Sequence, residues 1–307
     1  MGLRLAVTGA NGFVGRRLIR RAASRRAEVV GIVRSEDGAQ AVTEAGGRAV
    51  VVSGITAAAL APAMAGASAV VHLAQIGAER AGVTYDSVNV GGTRAVVEAA
   101  RLAGVPGVVF FSGLGVAHYG QWRRCTNPYF LSKMAAELAL FRSGLEVTVF
   151  RPSYIVGPWD AFVPEMARDI AAGEVELPGD GSYRMQPIAV DDAADAILSA
   201  AERSIAGPTV FDLVGPEPLA CARFVERLAA TLRSAGRPAA YTLRSVPLEE
   251  ADRQAAGDGY RGMLRDELDC MLCDEVADHR PLEAFLGRFL TPLDESLAVA
   301  VRALARV

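Results

Sequence analysis

Tyr129 and Lys133 stand four residues apart in the stretch NPYFLSK, a spacing that puts both side chains on one face of a helix. A phenol ionises near pH ~10 and alone is a weak base. A neighbouring ammonium group favours the phenolate. Such a pair can take the proton of a carbinol hydroxyl as a hydride leaves the same carbon, or return it to a carbonyl oxygen. A hydroxyl beside that oxygen would stabilise its developing charge, and Ser112 in VVFFSGLG could supply one. Taken alone, the spacing equally describes an aromatic packed at a helix start beside a solvated lysine. What separates the two is the set of elements that position the pair.

Those elements alternate. Short, continuously apolar runs occur at 3–7, 28–33, 48–52, 68–73, 107–112 and 145–151. Helical patterns follow near 12–25, 36–46, 57–65, 86–103 and 128–143. Strands without polar alternation are expected where helices cover both faces of a parallel sheet. The pattern predicts an α/β fold, a Rossmann-type doubly wound parallel sheet, over residues 1–151. After 151 proline and glycine become frequent. Strand-like pieces at 185–190 and 208–214 flank a helix, DDAADAILSAAER, and return to the sheet. Residues 152–184 and 215–307 then form a smaller substrate-binding lobe, helical and polar, with one strand near 240–246.

The turn from first strand to first helix reads VTGANGFVG, with Gly9, Gly12 and Gly15 three residues apart. The first glycine permits a tight turn, the second lets backbone approach a pyrophosphate, and the third lets helix and strand pack closely. A helix N-terminus behind the loop offers free N–H groups and positive dipole to phosphates. The second strand ends in Arg34 and Ser35, which suit a ribose 2′-phosphate and favour NADP. Glu36 and Asp37 follow closely and keep NAD open.

Other classes find little support. The 307 residues carry a net charge of −3 with both signs interspersed, so no nucleic-acid partner is expected. The densest basic stretch, RRLIRRAASRR, reads as a solvated helix face. No apolar run approaches membrane-spanning length, and no charged-then-apolar leader precedes the first strand. Four cysteines are too few for a disulfide framework, so a reducing cytoplasm is expected. CMLC (270–273) has metal-ligand spacing, but a second cysteine pair is lacking and no metal is expected. His72 ends an apolar strand and reads as a structural residue or one at the cofactor's edge. His118, Tyr119, Trp122, Arg123 and Arg124 precede the Tyr129 helix, where they could face the cleft; the arginines either bind an anion or are solvated.

With these motifs in order, the chain resembles the extended short-chain dehydrogenase/reductase superfamily, the NAD-dependent epimerases and dehydratases. TGANGFVG, VVHLA, NVGGTRAVVEAA, YFLSK, RPSYIVGP and GDGSYRMQPIAVDDAADAI carry the likeness over about the first 215 residues. SGLG, YFLSKMAAELAL and RPSYIVGPWDAF are most similar to the branch of the NADPH-binding accessory subunit of respiratory complex I and its bacterial relatives, some of which hold the cofactor without turning it over.

The resemblance implies cofactor contacts from Gly9, Asn11, Gly12, Phe13, Val14, Gly15, Arg34, Leu73, Ala74, Asn89, Tyr129, Lys133, Pro152 and Ser153. It implies catalysis by Tyr129, Lys133 and Ser112, and substrate contacts from Gly113, Tyr154 and Arg184. The chain departs from the sugar enzymes in three places, one of them Ser53 and Gly54, where an adenine-contacting acid is expected after the third strand. Gly113 stands where their hydroxyl donor is expected, and Tyr154 where an asparagine meets the nucleotide diphosphate. Three functions follow: NADP(H)-dependent oxidoreduction or epimerisation of a small molecule at a carbonyl/carbinol carbon, an NADPH-binding assembly protein, or a nucleotide-sugar epimerase/dehydratase. The resemblance also implies a homodimer through the helices near 86–103 and 128–143.

Overall fold

A computed structural model describes residues 2–203 and 205–304 of the chain. Met1, Ser204 and residues 305–307, which fall inside the expected domain spans, lie outside the described residues. The first half runs β1 (Arg4–Thr8), α1 (Phe13–Ser24), β2 (Glu28–Val33), α2 (Glu36–Glu44), β3 (Arg48–Val51), α3 (Ala57–Met64), β4 (Ala69–His72), α4 (Gly91–Leu102), β5 (Gly107–Phe111), α5 (Pro128–Phe141) and β6 (Glu146–Pro152). There follow β7 (Ile155–Val156), α6 (Phe162–Ala172), β8 (Glu174–Pro178), β9 (Arg184–Met185), β10 (Ile188–Ala189), α7 (Val190–Arg203), β11 (Pro208–Leu213) and β12 (Leu219–Ala220). The chain ends with α8 (Cys221–Ser234), β13 (Thr242–Val246), α9 (Leu248–Ala256), α10 (Arg265–Leu272), α11 (Arg280–Leu286) and α12 (Leu293–Ala303).

Seven parallel strands form the main sheet in the order β11-β6-β5-β4-β1-β2-β3. Order reverses between β1 and β4, which opens a crevice at the carboxyl ends of the strands, the place where such sheets take ligands. Leu5, Val7, Val71 and Val109 face one helical layer, while Ala6, Val70, Val108 and Val149 face the other. Burial on both faces is why the strands read as unbroken apolar runs.

A second core lies outside the sheet. Met166, Ile170 and Val175 join Phe224, Leu228 and Leu297 there, so α6, α8 and α12 pack together. Between the two cores the chain crosses repeatedly. The α11 segment packs back on the sheet layer through Leu282, Phe285 and Leu290, although its sequence neighbours belong to the second core.

Two expectations are corrected. Residues 185–190 are not one strand: β9 and β10 are two residues each, with Pro187 between them, which has no N–H to give a ladder, and α7 begins at Val190. The basic face of α1 is not solvated either. Arg17 binds Asp191 at 2.5 Å and Arg21 binds Asp195 at 2.6 Å, so α1 is matched to the acidic face of α7. Arg16 and Arg20 lie 5.4 and 4.1 Å from the ring centre of Trp159.

Candidate active site

At the crevice the loop after β1 turns at Gly9, whose φ is +70°. A Cβ there would stand 2.8 Å from the backbone nitrogen of Ala74, and one on Gly15 would stand 2.6 Å from the carbonyl oxygens of Gly9 and Ala10. Both positions therefore demand glycine for close backbone approach. α1 starts at Phe13 with no acidic residue in its first turn and no side-chain cap, so its N-terminal N–H groups remain available to an anion. A nicotinamide dinucleotide fits this cradle: a glycine turn, an uncapped helix N-terminus and a cavity of about 570 Å³ run together here.

Gly9, Gly12, Phe13, Val14, Gly15 and Leu73 line the cavity at its sheet end. Ser112, Gly113, Tyr129, Pro152, Ser153 and Tyr154 line its middle. Six further candidates lie off its wall. Asn11 is exposed in the turn, and Ala74 abuts Gly9 from behind. Arg34 is exposed at the end of β2, while the Ser35 hydroxyl accepts from the Gly38 N–H at 3.2 Å to cap α2. Asn89 sits in a π-helical turn (Asp86–Val90) and bridges the Ile76 backbone to Ser132, at 2.9 and 3.0 Å. Lys133 is buried behind Gln75. Arg184 is exposed and binds Asp274 at 2.9 Å.

α5 delivers the central pair. Asn127 caps it, accepting from the Phe130 N–H at 2.9 Å, and Pro128 follows in its first turn. Tyr129 and Lys133 then meet on one oxygen: Lys133 Nζ donates to Gln75 Oε1 at 2.6 Å, and the Tyr129 hydroxyl donates to the same atom at 3.4 Å. Nζ also donates to the Phe111 carbonyl at 2.6 Å and lies 4.4 Å from the Phe110 ring centre. Burial pushes the Lys133 ammonium down to about 7, against a partial counter-effect from Glu137. Burial also raises the Tyr129 phenol above its ordinary value, with Cys270 and Glu275 adding to the effect and Gln75 opposing it. The phenol is thus held protonated, in the form that donates.

Ser112 follows β5 directly and is buried, and its hydroxyl has no hydrogen-bond partner among the described residues although it lines the cavity. A buried orphan hydroxyl is costly unless a ligand satisfies it. At Gly113 the backbone is extended, and a Cβ would find Phe130 at 3.4 Å, so a side chain has room there.

Three side chains at the site escaped sequence reading. Gln75, two residues beyond Leu73, ties the Tyr–Lys pair together. Glu275 and Cys270 reach the cavity from the C-terminal third, where no motif marked Glu275 and the CMLC spacing pointed Cys270 to a metal rather than to this wall. Burial pushes the Glu275 carboxyl up to about 8.

Other candidates fall to structural roles. His72 is buried, with Nδ1 at 2.7 Å from Thr8 Oγ1 and Nε2 at 3.1 Å from Thr93 Oγ1. Because Thr93 donates to the Asn89 carbonyl, Nε2 of His72 is the donor to Thr93. Burial and Lys133 push that imidazole down to about 3, so it stays neutral. Arg124 binds Asp252 at 3.0 Å and Asp269 at 2.5 Å, joining the segment before α5 to α9 and α10. His118 stacks edge-on against Trp122 at 4.8 Å, off the cavity wall. Cys273 meets Cys125 rather than Cys270, with Sγ atoms 2.8 Å apart. Among the described residues, no group of three or more His, Cys, Asp and Glu is placed to hold a metal, and no helix is long and apolar enough to cross a membrane.

Comparison with known proteins agrees with this geometry. The model of the NAD dependent epimerase/dehydratase family matches residues 5–213. A 2-alkyl-3-oxoalkanoate reductase of Stenotrophomonas maltophilia is 31% identical over 255 residues, covering 75% of this chain and 76% of that one. A 4-hydroxy-2-methyl-3-oxo-4-farnesyl-3,4-dihydroquinoline-1-oxide ketoreductase of Stigmatella aurantiaca is 29% identical over 225 residues, 68% and 67% of the two chains. Among solved structures, MoeE5 in complex with UDP-glucose and NAD shares the fold, with a TM-score of 0.73, 24% identity and 98% of both chains covered.

Proposed function

For a chain that belongs to the NAD dependent epimerase/dehydratase family, and so is an NAD(P)-dependent oxidoreductase or epimerase, we propose that the reaction is the reduction of a ketone to a secondary alcohol, with NADPH preferred. The observation that carries this is the pairing at the middle of the cavity. A phenol held protonated, Tyr129, shares it with a buried hydroxyl that has no partner, Ser112. Both can donate to one carbonyl oxygen. The 31% and 29% identical relatives are by name a reductase and a ketoreductase, which supports the same direction.

When bound, the cofactor supplies the hydride. The chain does the rest. Tyr129 gives its proton to the carbonyl oxygen as negative charge develops there. Ser112 donates a second hydrogen bond to that oxygen, and Lys133 holds the nicotinamide ribose and favours return of a proton to Tyr129. Gln75 keeps the pair aligned until ligands enter. The Gly9–Gly15 turn and the N-terminus of α1 hold the pyrophosphate, Leu73 and Ala74 lie beneath the adenosine side, and Pro152 and Ser153 flank the nicotinamide. Arg34, exposed and without an ion pair among the described residues, is assigned to the 2′-phosphate. The substrate lobe is taken as 152–184 with the described part of 215–307. A homodimer through α4 and α5 would cover Leu102, Leu131 and Leu138, which are 64%, 47% and 46% exposed.

The test is NADPH oxidation over a broad panel of ketones, with wild type and Tyr129→Phe side by side. Turnover by wild type that collapses in the variant supports the reading. Tight NADPH binding with no oxidation of any ketone, or equal turnover by both proteins, contradicts it.

A further inference from the structure

The far end of the cavity, beyond Tyr154, is built by α6, β8 and the segment 260–275. Five carboxyl groups line the cavity there: Asp160, Glu165, Glu176, Glu267 and Glu275. One guanidinium lines it, that of Arg261, and it is already engaged by Glu165 at 3.0 Å and by Asp169. Helix N-termini are the other common anion sites, and here both are taken. Asp160 accepts the Val163 N–H at 2.7 Å at the start of α6 and the Gly157 N–H at 3.1 Å. Glu267 accepts the Leu264 N–H at 2.9 Å at the start of α10.

Between these groups the wall is apolar and adaptable. Tyr154 packs on Phe162 with ring centres 5.4 Å apart, and Met166, Met263 and Met271 complete the surface. Unbranched thioethers fill irregular contours and accommodate varied apolar shapes. Glu275, buried and held neutral at physiological pH, can give a hydrogen bond to a polar group on an uncharged ligand.

We propose that this end of the cavity takes an uncharged, mainly apolar ketone and discriminates against substrates carrying a phosphate or carboxylate. The proposal rests on the reading of the site as a carbonyl reductase and deepens it. An anion entering here meets no unengaged cation among the described residues lining the cavity, and it must approach carboxylates that already occupy the helix N-termini. The uncapped N-terminus of α1 at the opposite end is the place for phosphates, and the cofactor takes it.

The experiment uses matched pairs, medium-chain oxo-acids and their methyl esters on the same carbon skeleton, with the NADPH complex of the full chain. Binding is read by quenching of bound NADPH fluorescence and turnover by NADPH oxidation. The ester is expected to exceed the acid by about 100-fold in both affinity and kcat/KM, since like-charge juxtaposition costs several factors of ten. Asp160→Ala, which frees the Val163 N–H at the start of α6, and the pair Glu165→Gln with Asp169→Asn, which together release Arg261, should each narrow the ester-to-acid ratio by about tenfold. Acids bound as tightly as esters, or binding of neither form in any pair, overturns the proposal. Esters that bind selectively yet are never reduced leave the selectivity standing and overturn the reductase reading instead.

Discussion

The two ends of one cavity are built on opposite plans. The cofactor end is made of backbone. Gly9, Gly12 and Gly15 bring main chain against main chain, and α1 offers an N-terminus without a cap or an acid. The substrate end is made of side chains from several separate segments, and its helix N-termini are filled by Asp160 and Glu267. One end therefore invites negative charge and the other repels it. Tyr129, Lys133 and Gln75 stand at the junction, where hydride and proton must meet. Generic phosphate recognition needs only backbone geometry, whereas choice of substrate needs particular side chains in particular places.

Substitutions should respect this division, affecting cofactor affinity at one end and turnover at the other. Tyr129→Phe should lower kcat by about 1,000-fold while NADPH affinity stays close to wild type, because a positioned proton donor commonly supplies that much. Steady-state kinetics with parallel fluorescence titration separates the two. Ser112→Ala should cost about 100-fold in kcat. Its companion Gly113→Ser should change little. A large gain there would mean that the wild-type donor is missing and not supplied by Ser112.

On the other side of the division, Gly9→Val forces a branched side chain into a left-handed turn and against the backbone of Leu73 and Ala74. NADPH affinity should fall about 100-fold with the melting temperature reduced by a few degrees. Arg34→Glu should weaken NADPH about tenfold and leave NADH nearly unaffected, measured as a ratio of dissociation constants.

The smallest expected effect concerns pH. The folded protein keeps the Glu275 proton up to about pH 8, well above the ordinary carboxylate value. Between that value and pH 8 the folded state holds a proton that the unfolded state has released, so this group's contribution is lost as pH rises. Lys133 acts oppositely above about pH 7: the unfolded state binds the extra proton, and stability recovers as pH rises further. Thermal melts should show a fall from pH 5 to 7 that flattens in Glu275→Gln. An unchanged slope in that variant would place the effect elsewhere.

The difference between the ends also explains what could be read in advance. Gly9, Gly12, Gly15, Tyr129 and Lys133 lie in short motifs whose spacing follows from a turn or a helix repeat, and the strands announce themselves by unbroken apolar runs. Asp160, Glu267 and Glu275 carry no such signature. Their meaning comes from long-range packing of α6 and α10 onto the cavity, and a lone carboxyl in a polar stretch looks like any surface acid. Gln75 was hidden for a related reason. It lies in a loop held by Asn89, and the oxygen it offers to Tyr129 and Lys133 depends on a tertiary contact. The arginines of α1 read as solvated because their partners, Asp191 and Asp195, stand some 170 positions away in sequence.

The decisive measurement is a crystal structure of the ternary complex with NADP+ and a non-reactive ketone analogue. The analogue's oxygen is expected within about 3 Å of both the Tyr129 hydroxyl and the Ser112 hydroxyl, with Tyr129 released from Gln75. An oxygen bound elsewhere, with Tyr129 still on Gln75 or with protein side chains filling the space beside the nicotinamide, would contradict it.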